Sequence, residues 1–539
     1  MSGKASDGAG PGPPTASLDE WSGSRTSRSS SRLRTGLQQK LLENFFVWYV
    51  AYILSTVACG TLVMLALEEE LGFQDALYLA VSSVTETGLS SVDFAARRWT
   101  THVVVWLLII MGSPMLLSIV PMVLRLVVVA KSSGEVEAER RGGVAFFGIV
   151  TTSKDECYAL GLLSTLVLGY WAGVQALGWL LLWALHPGGP SGDGGAWPAL
   201  FLATSSFHNA GMCTMRNGLP FTESPTAPAY LVVVMLLVLC GNSCFPIFLR
   251  CVVQAAHGLS RNSTRRRVLA LLLRFPRTCY THLFPGYATR WLTTVTIALV
   301  AVQIAALSLA DLWAEPAKKG NSVIMTGLTL RERALAIFFQ SVSTRTAGLS
   351  VLDLKLLSPT SAFVFCVCMW VSVCPVVVVM RSTTLVSGSM VKEYSFGEVK
   401  QQKAQDAMSM KKQMDSFMSQ DLLALLGLFF FILVAEEYHT TETDVRERRF
   451  LYILFEFCSA YGTVGLSMTA TPWSRSGRWS PMAKLLLLVV MLLGRLRGLP
   501  DSIDPTLQFH EDDKYLDEEA SSVEANSSAA SDEDEEDSS

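Results

Sequence analysis

Long apolar runs alternate with short half-apolar ones along this chain, and the alternation repeats four times. The long runs cover 45–67, 101–130, 158–186, 228–257, 287–313, 360–383, 420–437 and 482–499. Crossing a hydrocarbon core takes about 20 helical residues, so these runs predict eight transmembrane helices. Between the members of each successive pair lies a shorter stretch, at 73–84, 197–208, 330–343 and 448–461. Those stretches are too short to cross, and predict re-entrant helices that enter and return on one side. Irregular backbone at that depth is tolerated only where protein or water surrounds it. The expected fold is an all-α integral membrane protein, in which four membrane–pore-loop–membrane units surround a pseudo-four-fold pore.

Each short stretch runs into a glycine-bearing segment, at 83–89, 207–212, 343–349 and 460–466. Glycine turns without a Cβ, so backbone carbonyls can face an axis and replace an ion's water shell. The expected filter glycines are Gly88, Gly211, Gly348 and Gly465, with carbonyls lent by Thr87, Ala210, Ala347 and Val464. These carbonyls would hold a monovalent cation, K+ or Na+. A pore helix entering from outside ends near mid-membrane, where the partial negative charge of its C-terminus favours that cation.

The pattern divides the chain into pore units at 45–130, 158–257, 287–383 and 420–500. Linkers at 131–157, 258–286 and 384–419 join them, and tails at 1–40 and 501–539 flank them. Arg261, Arg265, Arg266, Arg267, Arg274 and Arg277 crowd the second linker, and Lys392, Lys400, Lys403, Lys411 and Lys412 the third. The excess of basic residues places both in the cytoplasm. Both termini then lie in the cytoplasm and all four glycine loops enter from the outer face. Asn262 and Asn526 head glycosylation sequons on the cytoplasmic side and are expected to be unmodified.

Composition agrees with a membrane protein: half of the 539 residues are apolar and only 17% are charged. The net charge of −4 hides segregation of both signs into tails and loops. The first 40 residues are polar and read as a disordered cytosolic tail, although Arg and Ser across 22–34 also suit a transit peptide. The last residues are acidic, and Ser531 among them could serve a kinase or other cytosolic regulator, or simply end a solubilising tail. The eleven cysteines form no CxxC pair and no zinc-like spacing, and read as small apolar residues. No phosphate-binding loop, catalytic constellation or nucleic-acid motif is present, so an enzyme, a cofactor and a nucleic-acid partner are not expected.

At the glycine segments the chain resembles the Trk/Ktr/HKT superfamily of potassium and sodium transporters. The resemblance covers roughly residues 45 to 500. It rests on Ser343-Thr344-Arg345-Thr346-Ala347-Gly348, Ser459-Ala460-Tyr461-Gly462-Thr463-Val464-Gly465, Gly241-Asn242-Ser243-Cys244-Phe245-Pro246 and Gly494-Arg495-Leu496-Arg497-Gly498. These segments are similar to eukaryotic members, whereas Thr85-Glu86-Thr87-Gly88-Leu89 is closer to bacterial Ktr subunits. The resemblance implies potassium uptake at the plasma membrane by a homodimer with one pore per subunit. In plant relatives, serine at the first filter position goes with sodium and glycine with potassium, so Gly88 implies potassium conduction. One departure stands out: bacterial members carry a glycine-rich gate in the sixth span, and here that stretch is Trp370 to Val379 without glycine but with Pro375.

Several charged residues invite roles. Arg495 either projects into the pore below the filter, as a barrier or gate partner, or snorkels to the headgroups. Arg497 is expected to snorkel. Lys484 either pairs with Glu456 on the fourth pore helix or sits at the interface. Glu86 either draws cations to the mouth or bonds amides behind the filter. Arg345 and His208 are expected to brace their loops. Transport would run down electrochemical gradients, since 100 mV gives a monovalent cation about 2.3 kcal/mol. The rivals are a sodium-selective or sodium/potassium-coupled transporter, a proton-coupled symporter using Glu86, Glu456 or His208, and a non-conducting membrane scaffold or sensor.

Overall fold

The computed structural model describes residues 45–120, 153–186, 195–215, 226–274, 276–313, 329–371, 374–380, 422–437 and 449–497 without 470 and 472, with a few isolated positions between. The tails at 1–40 and 501–539, the linker at 384–419 and most of that at 131–157 lie outside the described residues. The chain divides into two compact units, Met1–Ala51 and Tyr52–Ser539. Of the first, residues 45–51 are described and are helical. The site lies wholly in the second.

The long apolar runs fold as α1 (Phe45–Leu67), α3 (Trp99–Gly112), α4 (Ser153–Leu185), α6 (Ala227–Val238), α7 (Phe245–Leu259), α10 (Gly286–Trp313), α12 (Pro359–Val371), α13 (Leu422–Glu437) and α15 (Pro481–Leu496). The short stretches fold as α2 (Phe73–Val84), α5 (Ala196–His208), α11 (Leu330–Thr346) and α14 (Arg449–Gly462). The second linker forms α8 (Ser263–Arg274) and α9 (Pro276–Cys279). A two-residue antiparallel β pair, Val144–Ala145 with Val150–Thr151, lies in the first linker.

Helix starts follow local chemistry. Thr329 and Glu332 form a capping box on α11, each side chain accepting the other's backbone N–H. Ser480 accepts from Ala483 at the start of α15, and Pro481 occupies its first turn.

Among the described residues, four helices are long and apolar enough to cross a membrane, or six if each bent pair counts as one span. One bent pair is Trp99–Gly112 with Pro114–Val120, at 54°. The other joins Ala227–Gly241 to Phe245–Leu259 at 84°. One expected span is shorter than expected: α15 has 16 residues, from Pro481 to Leu496. At 1.5 Å per residue such a helix covers about 24 Å, less than the ~30 Å core. The sixth span is helical over Pro359–Val371 and again over 374–380, which includes Pro375. Its positions 372–373 lie outside the described residues.

The packing closes on itself. Each short helix contacts the long helix that follows it, and each of those contacts the next short helix: α2, α3, α5, α6, α11, α12, α14, α15 and back to α2. The glycine loops lie at the C-terminal ends of the short helices, inside this circuit.

Candidate functional site

Three of the short helices end by a residue in the left-handed region. Glu86 (φ 56°), Asn209 (φ 58°) and Thr463 (φ 51°) each stand two positions before a filter glycine. Side-chain-bearing residues adopt this conformation at a cost of roughly 1–2 kcal/mol, so surrounding contacts must hold it. The third loop differs, because α11 continues to Thr346 and Ala347 keeps a right-handed φ of −93°. Asn209 Nδ2 donates to Thr346 Oγ1 at 2.9 Å and ties the second loop to the third.

The four glycines follow with φ of 85°, 69°, 68° and 92° at Gly88, Gly211, Gly348 and Gly465. A Cβ added to any of them would lie closer than 3.0 Å to a carbonyl oxygen of the next loop. Gly88 faces the carbonyl of Ala210, Gly211 that of Ala347, Gly348 that of Val464, and Gly465 that of Thr87. The contacts form a closed ring of four loops. All eight residues expected at the filter take part in it.

Serines pin the loops. Thr87, Ala210 and Val464 donate backbone N–H to the carbonyls of Ser82, Ser205 and Ser459, at 2.8, 2.8 and 2.9 Å. Ser205 Oγ accepts from Met212 N and Ser459 Oγ from Gly465 N, each at 3.0 Å. In the third loop, Ser343 Oγ donates to the carbonyl of Leu349. Sequence reasoning gave these serines no role, although one recurs five or six residues before every filter glycine. It also missed Gly112 and gave no packing role to Gly241 and Gly494; the three press on the carbonyls of Val84, Phe207 and Tyr461 in the last turns of α2, α5 and α14.

The expected charges are redistributed. Arg495 neither snorkels nor stands alone below the ring. Its guanidinium donates to Glu86 Oε2 at 3.1 Å and to the carbonyl of Gly112. The helix break at Ser113–Pro114 leaves that carbonyl without its usual amide donor, and Arg495 takes the place. Glu86, 3% exposed, also faces His208 Nδ1 at 3.6 Å. Trp171 Nε1 donates to the other ring nitrogen of His208 at 3.3 Å. Two of the three titratable candidates of the sequence thus meet beside the first loop.

Lys484 pairs with Asp75 at 3.6 Å, not with Glu456. Asp75 lies in the first turn of α2 and is partly open to solvent, within reach of a lysine stem at the start of α15. Glu456 is buried and accepts from Ser467 Oγ, Ser476 N and Ser476 Oγ. Arg497 does not snorkel either. It is 5% exposed, lies 4.6 Å over the Tyr461 ring and donates toward the carbonyls of Trp370 and Gly462. Arg345 is buried behind the third loop near Cys244 and Cys368. Among the described residues no cluster of three or more His, Cys, Asp or Glu could hold a metal ion.

The apolar helices and the ring of glycine loops define a helical membrane protein. Residues 150–517 match the family model described as "Cation transport protein", TrkH, and the chain belongs to that family. It is 29% identical over 412 residues to the "Low-affinity potassium transport protein" of Saccharomyces cerevisiae, covering 68% of this chain and 45% of the relative. It is 32% identical over 320 residues to "Potassium transporter TRK1" of Candida albicans, covering 57% and 29%. The matches span less than half the length of these curated relatives. The solved potassium transporter TrkH from Vibrio parahaemolyticus shares the fold, with a TM-score of 0.50, 14% identity and coverage of 85% of this chain and 83% of that one.

Proposed function

We propose that this chain takes up potassium through the ring of glycine loops, driven by the electrochemical gradient. The observation that carries the reading is the closed circuit of four carbonyls, Thr87, Ala210, Ala347 and Val464, each seated against the glycine of a neighbouring loop. Four carbonyl dipoles from four pore helices can replace part of an ion's hydration shell without a fixed charge. Glycine at position 88 supports potassium over sodium, since a serine there would crowd the ring. The matched relatives are named as potassium transporters, which supports the same ion. The plasma membrane, cytoplasmic termini and a homodimer with one pore per copy belong to the same proposal.

Arg495 has a positioning role in it. It holds Glu86 and the end of α3 together, so the first loop is braced against α15. A buried ion pair is strongly destabilised when one partner is removed.

The test is current in oocytes expressing this chain, with external potassium and sodium exchanged. A shift of about 58 mV per tenfold potassium, little changed by sodium, is expected. A reversal potential set by sodium overturns the potassium reading and favours the sodium rival. No current from protein present at the surface favours the scaffold.

A further inference from the structure

An open hollow of about 690 Å³ lies where α7 meets α8, lined by His257, Ser260, Arg261, Ser263, Arg266 and Arg267. Arg261, Arg265, Arg266 and Arg267 are all exposed. None has an ion pair or side-chain hydrogen bond to another described residue. The local sequence offers them no partner, because no Asp or Glu occurs between Glu223 and Asp311. A basic excess is expected on one side of any membrane protein. Here, however, Arg261, Arg266 and Arg267 converge on one hollow, and the fold holds them there.

The opposite face of α8 fixes that geometry. Val268, Leu269 and Leu272 are buried with Leu160 and Leu163 of α4 and Leu249 and Val253 of α7. The apolar side of α8 is therefore spent on the protein core, and its arginines are presented outward. Asn262 Oδ1 accepts from Thr264 N at 3.0 Å and caps the helix, so an incoming anion would be met by guanidinium groups.

An apolar track leads into the hollow. Phe248, Cys251, Ala255 and Leu259 are exposed and spaced to share one face of α7. Leu259, 82% exposed, stands at the end beside Arg261. A basic hollow at the foot of an apolar stripe matches an amphiphile, with phosphates in the hollow and an acyl chain along the helix. A free phosphate would use the first part only.

We propose that this hollow binds the phosphorylated headgroup of an anionic lipid, of polyphosphoinositide chemistry, in the leaflet at this face. Guanidinium pairs with phosphate oxygens bidentately, and the contact weakens as salt rises. Occupancy would brace α8 against α7, the helix that leaves the Gly241 bend beside the second filter loop.

The test uses the purified full-length protein in detergent micelles, titrated with dioctanoyl phosphatidylinositol bisphosphate and, separately, with inositol trisphosphate. The lipid should bind saturably and more tightly than the headgroup alone, and binding should weaken at high salt. Combining R261Q, R266Q and R267Q should weaken it by about tenfold or more, since each lost charge-assisted contact is worth up to that factor. L259N should reduce lipid binding and leave inositol trisphosphate binding unchanged. Elution at the wild-type volume and an unchanged melting temperature show that the variants fold, which the exposure of these four side chains leads one to expect. No saturable lipid binding, or equal binding by the arginine variant, overturns the proposal. Equal affinity for lipid and free headgroup overturns the assignment to a lipid.

Discussion

At residue scale, position 88 is constrained twice. Its φ of 85° lies where side-chain-bearing residues are strained, and a Cβ there would press on the carbonyl of Ala210 in the ring. Gly88→Ser is expected to lower the potassium-to-sodium permeability ratio by about tenfold, ~1.4 kcal/mol. Reversal potentials under exchanged gradients check it, and an unchanged ratio counts against the ring as the selective element. The Glu86–Arg495 pair makes a second prediction. Glu86→Gln and Arg495→Gln should each destabilise the purified protein by about 3–5 kcal/mol, because each leaves a buried charge behind. The double variant should cost clearly less than the sum, as expected of groups in contact. Lys484→Ala, which breaks a partly solvated pair, should cost at most about 1 kcal/mol. Thermal unfolding with and without lipid distinguishes these sizes. The four positive-φ glycines were legible at this scale because each follows a short half-apolar stretch set between two long apolar runs. The partner of Arg495 was not, because Glu86 lies 409 positions away and no local pattern links them.

At the scale of elements, three of the four short helices were legible to within a residue, while the third, read at 330–343, continues to Thr346. The stretch read at 73–84 is helix Phe73–Val84, and that read at 197–208 is Ala196–His208. Half-apolar runs bounded by glycine and small polar residues leave little freedom in where such helices stop. The fourth span was read as one run at 228–257 and is bent by 84° at Gly241. Hydropathy is blind to that bend, because the two arms together are apolar enough to read as one run. What requires it is tertiary: a Cβ on Gly241 would occupy the space of the Phe207 carbonyl. Gly241→Ala should therefore abolish correctly folded protein, read as loss of the monodisperse peak after detergent extraction. Gly169→Ala and Gly173→Ala on α4 meet open space and should be neutral, or stabilising by up to about 1 kcal/mol through helix propensity. If all three variants behave alike, the close-packing account of the bend fails.

At the scale of the molecule, the four short helices and their following helices close one circuit, and the ring of carbonyls sits where the short helices end. The alternation of hydropathy marked the long and short helices, but not how their edges are sewn together. Ser90 and Ser474 exchange hydrogen bonds across the first and fourth loops at 2.9 and 2.8 Å, and Tyr78 meets Ser476 at 2.8 Å. Such contacts join residues almost 400 positions apart and follow from closure of the circuit, which a single sequence does not display. In the proposed function, the carbonyls of Thr87, Ala210, Ala347 and Val464 receive the transported ion. The direct measurement is anomalous diffraction from crystals of the protein soaked in thallium or rubidium salts, ions that report on potassium sites. The account predicts a peak on the axis enclosed by the carbonyls of Thr87, Ala210, Ala347 and Val464, lost in the Gly88→Ser variant. A wild-type protein that transports the soaked ion but shows its ordered peak elsewhere, and none at the ring, would contradict it.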